Sequence, residues 1–299
     1  MSSNAMVTPG SIKAWILAAR PKTLAAAAIP VLVGSAVAHS QAAFVLLPAL
    51  AALVGAGLIQ VGTNFANDYF DYQSGADNED RLGPTRAVQA GLLSSAAVKA
   101  ATAGTFLAAA FLGIYLVSIG GWPILAIGIA SILSGLAYTG GPYPLGYHGL
   151  GDIFVFVFFG LVAVMGTHYV QALAWAPEAL IAAIPIGLLS TAILVVNNYR
   201  DIDTDRQAGK NTLAVRLGPR ATRWQYVLTI AAAFAVPLLQ WVTGHANVTI
   251  LLPLLSFPLA LLLIREIWRR TGTQLNALLA RTAGLLAIFG VLYSLGLIL

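Results

Sequence analysis

Two short polar stretches carry most of the chemistry that this chain could do. They read Asn67-Asp68-Tyr69-Phe70-Asp71 and Asn197-Asn198-Tyr199-Arg200-Asp201, and each follows a long apolar run. Most of the eleven acidic residues lie in or just after these stretches. Carboxylates at the edge of an apolar run are costly to desolvate and need a cationic partner. Read as helical continuations, Asn64, Asp68 and Asp71 share one face at i, i+4 and i+7, and Asn67 and Asp71 form a second i, i+4 pair. Asn197, Asp201 and Asp205 step along another face by four, and Asp77 adds a further acid after the first stretch. Stacked oxygen donors suit Mg²⁺, which takes one or two carboxylates and completes its shell with water and phosphate oxygens. Two such faces predict two Mg²⁺ ions clamping one diphosphate. A solvated helix end capped by Asp and Asn would explain one cluster, but poorly explains a matched pair.

Basic residues stand beside both clusters. Arg86 follows the first and Lys210 the second, and both are predicted to bind diphosphate oxygens, for which the forked guanidinium is well shaped. Lys22, in Arg20-Pro21-Lys22-Thr23, is a third candidate. For each, ordinary cytoplasmic-side charge is the competing explanation. A third polar connection, Tyr138 to Asp152, is rich in Gly and Tyr and has no Lys or Arg. It reads equally as a ligand-facing loop or as a tight turn with interfacial tyrosines. The four histidines have no metal-ligand spacing, and there is no P-loop, Ser-His-Asp arrangement or zinc motif.

The elements that must position these residues are membrane helices. The chain is 59% hydrophobic and 9% charged, where a soluble domain carries about 25% charged residues. The predicted fold is all-α and polytopic, a single domain with nine spans near 14–38, 44–66, 96–118, 122–139, 151–171, 178–199, 224–243, 247–264 and 277–298. Residues 1–10 are predicted to be a disordered tail, and no cleavable signal peptide is evident. With nine spans, all sixteen Lys and Arg residues fall on one side. The positive-inside rule makes that side cytoplasmic, with the N-terminus inside and the C-terminus outside. The net charge of +5 therefore reflects cytoplasmic loops and not a nucleic-acid partner. Absence of cysteine excludes disulfides. Thr85-Arg86-Ala87-Val88 to Gly91 and Thr212-Leu213-Ala214-Val215 to Gly218 share the pattern T-x-A-V-x-x-G. With the paired acids, this suggests two repeated helix groups, about 13–139 and 150–299.

These stretches resemble the UbiA superfamily of membrane-embedded aromatic prenyltransferases over nearly the whole chain. The resemblance is carried by Arg20-Pro21-Lys22-Thr23-Leu24, by Asn67 to Gly91, by Tyr138 to Gly160 and by Asn197 to Gly218. The general first motif of the superfamily would place its last Asp at position 75; here that residue is Gly75 and the acid is Asp77. The branch acting on 1,4-dihydroxy-2-naphthoate shares this spacing.

The resemblance implies nine helices around a central cavity, in a bacterial cytoplasmic membrane. It implies transfer of a polyprenyl group from polyprenyl diphosphate to 1,4-dihydroxy-2-naphthoate, with release of CO₂ and formation of demethylmenaquinone. Asp68, Asp71, Asp201 and Asp205 would be catalytic, with Asn64, Asn67, Asp77 and Asn197 as further metal-site residues. Tyr138 and Tyr143 would position the acceptor. Alternatives are a related transferase using another aromatic acceptor or a phytyl chain, and a secondary transporter, whose repeats also place acids within membranes.

Overall fold

The computed structural model describes residues 7–75 and 82–299. Among the described residues there is no β-strand. Among them nine long apolar helical segments follow one another: α1 (Ile12–Ser40), α2 (Leu46–Gln73), α3 (Ser95–Gly120), α4 (Trp122–Ala137), α5 (Gly151–Ala172), α6 (Pro177–Arg200), α7 (Leu213–Val242), α8 (Val248–Arg269) and α9 (Gly272–Ile298). Eight of them are long and apolar enough to cross a membrane. The exception, α4, has 16 residues, about 24 Å of helix against a hydrocarbon core about 30 Å thick.

Hydrogen bonds fix which ends lie together. At one end Gln73 meets Ser95, Thr139 meets Asn67, and Arg200 meets Asn276. At the other, Val45 N–H donates to Gln171, Gln41 donates to Glu178, and Thr249 donates to the Gly296 carbonyl. These segments therefore alternate in direction, and α4 returns the chain from the far end of α3 to Thr139 at the first end. Every described Lys and Arg lies toward the first end. The exterior carries exposed Phe111, Leu133, Leu228 and Leu255, as expected of a surface solvated by lipid. This is a membrane protein.

The helices run beyond the predicted apolar windows where charges begin. The second span, expected to stop near 66, continues to Gln73 and carries the first acidic stretch on helix. The seventh, expected from 224, begins at Leu213 and kinks at Gly218, where φ is 77° ahead of Pro219. Residues 1–6 of the predicted tail lie outside the described residues. Val7 packs against the cluster around Phe65 and Val88, and Gly10 N–H donates to the Leu92 carbonyl. The main core is shared by α1, α6, α7, α8 and α9, through Val33, Ile186, Leu263 and Phe289 among others. Along α5, residues Phe156–Val162 widen into a π-helical turn. There Gly160 faces α6, and a Cβ on it would lie 2.6 Å from the Gly187 Cα.

Candidate active site

Asp71 is the meeting point of three connections. It sits two residues from the end of α2 and is 1% exposed. One carboxylate oxygen accepts from Arg86 Nη2 at 2.8 Å. The other accepts from Tyr147 Oη at 2.7 Å and from Lys210 Nζ at 3.0 Å. Arg86 comes from the turn after α2, Tyr147 from the Gly/Tyr-rich connection after α4, and Lys210 from the connection after α6. Lys210 Nζ also lies 4.5 Å from the centroid of the Tyr147 ring, a cation–π geometry.

The rest of the first motif divides. Asn67 stays at the cavity, its Oδ1 accepting from Thr139 Oγ1 at 2.9 Å. Asp68 turns toward the following connection and accepts the backbone N–H groups of Ala87 and Val88 at 3.0 and 3.3 Å. Both of its oxygens are engaged beneath the turn that carries Arg86, and Asp68 does not line the cavity. Asn64 turns away from Asp71. Its Nδ2 donates to the Ala19 carbonyl and to Thr23 Oγ1, both at 2.9 Å, and its Oδ1 accepts from Gln60. Its amide nitrogen thus ties α2 to the break between the two parts of α1, and its oxygen is taken by Gln60. Asp77 lies outside the described residues.

On the second face, Arg200 forks onto Asp201, with Nε 2.8 Å from Oδ1 and Nη2 against Oδ2. The same guanidinium reaches Asn197 Oδ1 at 2.9 Å and Asn276 Oδ1 at 2.7 Å, and Asn276 donates to the Leu82 carbonyl at 3.0 Å. Although α6 ends at Arg200 and a short helix Ile202–Gln207 follows, backbone bonds from Asp201 to Asn197 and from Asp205 to Asp201 persist. Asn197, Asp201 and Asp205 therefore keep one face and line the cavity together. Asp203 points out, with its side chain 87% exposed beside Arg206.

These groups line a polar cavity of about 260 Å³. It adjoins an apolar chamber of about 520 Å³ between α1, α2, α3, α4 and α5. Gln60, Asn67, Tyr138, Val155 and Phe159 line both. Tyr138 thus stands at the junction. Burial, and then the negative charges of Asp152, Asp71 and Asp205, push its hydroxyl pKa up, so it remains a protonated donor at neutral pH. Tyr143 and Lys22 lie apart from both cavities: Tyr143 is exposed and stacks on His148 at 3.6 Å, and Lys22 is exposed on the turn after Arg20. Arg20 does line the polar cavity, because its backbone is left-handed, with φ 52°, and the chain reverses its outward face there. Sequence reasoning missed Arg20, Tyr147, Arg200 and Asn276 as site residues. The first three lie inside stretches already singled out by composition; Asn276 gives no signal in the sequence.

Among the described residues no three His, Cys, Asp or Glu side chains form a ready cation cage. The donor set nevertheless fits Mg²⁺: Asn67, Asp71, Asn197, Asp201 and Asp205 offer hard oxygens to one cavity, and Mg²⁺ needs few protein ligands when phosphate supplies the others. Arg86, Lys210 and Arg200 balance Asp71 and Asp201 in this state.

A helical membrane bundle with two matched acidic helix ends, joined to an apolar chamber, defines the class of membrane-embedded prenyltransferases. The chain belongs to the UbiA prenyltransferase family, which matches residues 27–286. It is 38% identical to 1,4-dihydroxy-2-naphthoate octaprenyltransferase of Escherichia coli (strain K12), over 96% of each chain. It is 41% identical to the protein of the same name from Mycobacterium tuberculosis (strain ATCC 25618 / H37Rv), over 84% of this chain and 85% of the relative. Solved structures share the fold. A UbiA homolog from Aeropyrum pernix K1 gives a TM-score of 0.65 at 18% identity, covering 88% of this chain and 96% of the other. A UbiA homolog from Archaeoglobus fulgidus bound to DMAPP and Mg²⁺ gives 0.58 at 13% identity, covering 94% and 99%.

Proposed function

We propose that this protein transfers a polyprenyl group from polyprenyl diphosphate to 1,4-dihydroxy-2-naphthoate. CO₂ and diphosphate leave, and the demethylmenaquinone skeleton forms at the quinol oxidation level. The observation that carries this reading is the continuity of the polar cavity holding Asp71, Asp201 and Asp205 with the apolar chamber. A diphosphate head and an isoprenoid tail need this pair of environments in contact. The acceptor is taken from the printed activity of full-length relatives.

In this reading Asn67, Asp71, Asn197, Asp201 and Asp205 would hold two Mg²⁺ ions, which would supply Lewis acidity to the leaving diphosphate. Arg86, Lys210 and Arg20 take the remaining phosphate oxygens. Asp68 holds the Ala87–Val88 turn and so places Arg86. The allylic C–O bond breaks with its electron pair leaving on the diphosphate, and the cationic carbon stays at the junction. Phe159 and its apolar neighbours exclude water there. Tyr138 orients the acceptor ring, whose carbon forms the new C–C bond as the carboxylate departs as CO₂. The polar end faces the cytoplasm of a bacterial cytoplasmic membrane, following the charge asymmetry.

The test is turnover of labelled octaprenyl diphosphate with 1,4-dihydroxy-2-naphthoate by the purified protein in lipid vesicles. Demethylmenaquinone should accumulate after air oxidation with Mg²⁺ present and not after EDTA treatment. Full turnover in chelator would remove the metal role. Failure with this acceptor, but turnover with another phenolic ring, would reassign the substrate.

A further inference from the structure

The connection from Tyr138 to Asp152 holds five glycines. Gly141 and Gly149 have positive φ, 81° and 74°, and serve turns that other residues make poorly. Gly146 and Gly151 have no positive φ, so backbone conformation does not call for glycine there. Close approach does, and the same residue approaches both. A Cβ on Gly146 would lie 3.1 Å from Tyr138 Cε1 and 3.0 Å from the Tyr138 carbonyl oxygen, which accepts the Gly146 N–H at 2.9 Å. A Cβ on Gly151, the first residue of α5, would lie 2.9 Å from Tyr138 Oη and 3.2 Å from Leu194 Cδ2. The two missing side chains leave the room that the phenol ring and its hydroxyl fill. That room matters because packing alone places the hydroxyl. Among the described residues it has no hydrogen-bond partner, and it is not one of the sealed polar atoms. Tyr138 lines both the polar cavity and the apolar chamber. After burial, the negative charges of Asp152, Asp71 and Asp205 raise its pKa, and the last two of these line the polar cavity. The hydroxyl is thus a protonated donor at the junction, with its hydrogen unclaimed by the described protein.

We infer that Gly151 is a positioning residue for the aromatic acceptor, acting through the Tyr138 hydroxyl. This rests on the proposed transferase reading, in which Tyr138 orients the acceptor ring. An oxygen of the acceptor takes the hydrogen bond that the hydroxyl does not make within the protein. A hydrogen bond is sensitive to distance and angle, so the donor must stand at one place to serve a ring held beside the cationic carbon. The absent side chain of Gly151 sets that place. A methyl group there would sit well inside contact distance of Oη. Because Oη is the free end of a side chain, the crowding is relieved by moving the hydroxyl and not by unfolding α5.

The experiment is a double-variant cycle, read in steady-state kinetics with 1,4-dihydroxy-2-naphthoate and octaprenyl diphosphate in lipid vesicles. Tyr138→Phe and Gly151→Ala should each raise the KM for the acceptor by about three- to tenfold, the worth of one hydrogen bond. The KM for octaprenyl diphosphate should stay near the native value in both. The double variant should match Tyr138→Phe alone, because no hydroxyl remains for the methyl to displace. An effect carried by Leu194, or by the start of α5, would instead add to that of Tyr138→Phe, and this result would overturn the inference. A native acceptor KM in Gly151→Ala would do the same. So would a native acceptor KM in Tyr138→Phe, which keeps the ring and changes nothing at Gly151. If Gly151→Ala did not fold, adding Tyr138→Phe should restore folding; failure in both backgrounds would also overturn the inference. Native turnover of the dihydroxy substrate with any of these contrary results leaves the transferase reading standing. Absence of that turnover removes both.

Discussion

Removing the Asp71 carboxylate takes the common partner from Arg86, Lys210 and Tyr147 at once. Asp71→Asn keeps the shape but loses the charge that pairs with two cations or with Mg²⁺. It should lower kcat/KM by about 100-fold or more, as expected when several kcal/mol of transition-state charge stabilisation is lost. Asp201→Asn should behave similarly, since it frees Arg200 from its fork. Asp68 differs, because its bonds hold a turn and not the cavity. Asp68→Asn retains one accepting oxygen, so it should act mainly by raising the KM for prenyl diphosphate through a displaced Arg86, with a smaller fall in kcat. Asp203→Ala, exposed and paired only at the surface, should stay within about twofold of native. Steady-state kinetics on this set of variants checks the ordering. Asp68→Asn with native KM and the largest loss in kcat would return Asp68 to the chemistry.

At the scale of elements, the close crossing of α5 and α6 tests the fold. Gly160 and Gly187 approach so closely that a Cβ on Gly160 would also lie 3.0 Å from the Ala183 carbonyl oxygen. Small residues at such a crossing let helix backbones pack where no hydrophobic effect drives them together. Gly160→Val should therefore destabilise the protein by about 1–3 kcal/mol or more, seen as a lower thermal midpoint in detergent. Ala at the exposed Gly104, whose Cβ would meet nothing, should not.

The spans themselves were legible because apolar runs of membrane length have few other meanings, and the paired acids were legible because helical spacing puts oxygens on one face. Spacing does not say what covers a face. Asn64 shares the face of Asp71, yet the break in α1 claims its amide. That left-handed break at Arg20 also exchanges the roles expected of Lys22 and Arg20. Tyr143 and Tyr147 lie in a Gly- and Pro-rich connection with no period, so composition could not choose between them. Within the shared T-x-A-V-x-x-G pattern, Gly91 and Gly218 both adopt positive φ, 68° and 77°.

At the scale of the molecule, sidedness joins the two acidic ends into one site. All described cations lie toward the end that holds Asp71 and Asp201, and the opposite end is bound together by neutral and acidic groups such as Gln41, Gln171 and Glu178. The short α4 is the weak link in this alternation. If it entered and left on one face, everything after it would invert. Because the chain has no cysteine, single cysteines report this directly. Ser40, Trp122 and Asn247 are exposed at the far end, and Ser74 and Gln207 are exposed at the polar end. In intact cells an impermeant thiol reagent should label cysteine at the first three positions and spare the last two. Permeabilised cells should show all five. Labelling at Ser40 and Ser74 from opposite sides, but at Trp122 from the side of Ser74, would make α3 and α4 re-entrant. Labelling of Ser74 and Gln207 from opposite sides would put the two acidic clusters on different faces of the membrane, where no single diphosphate could reach both.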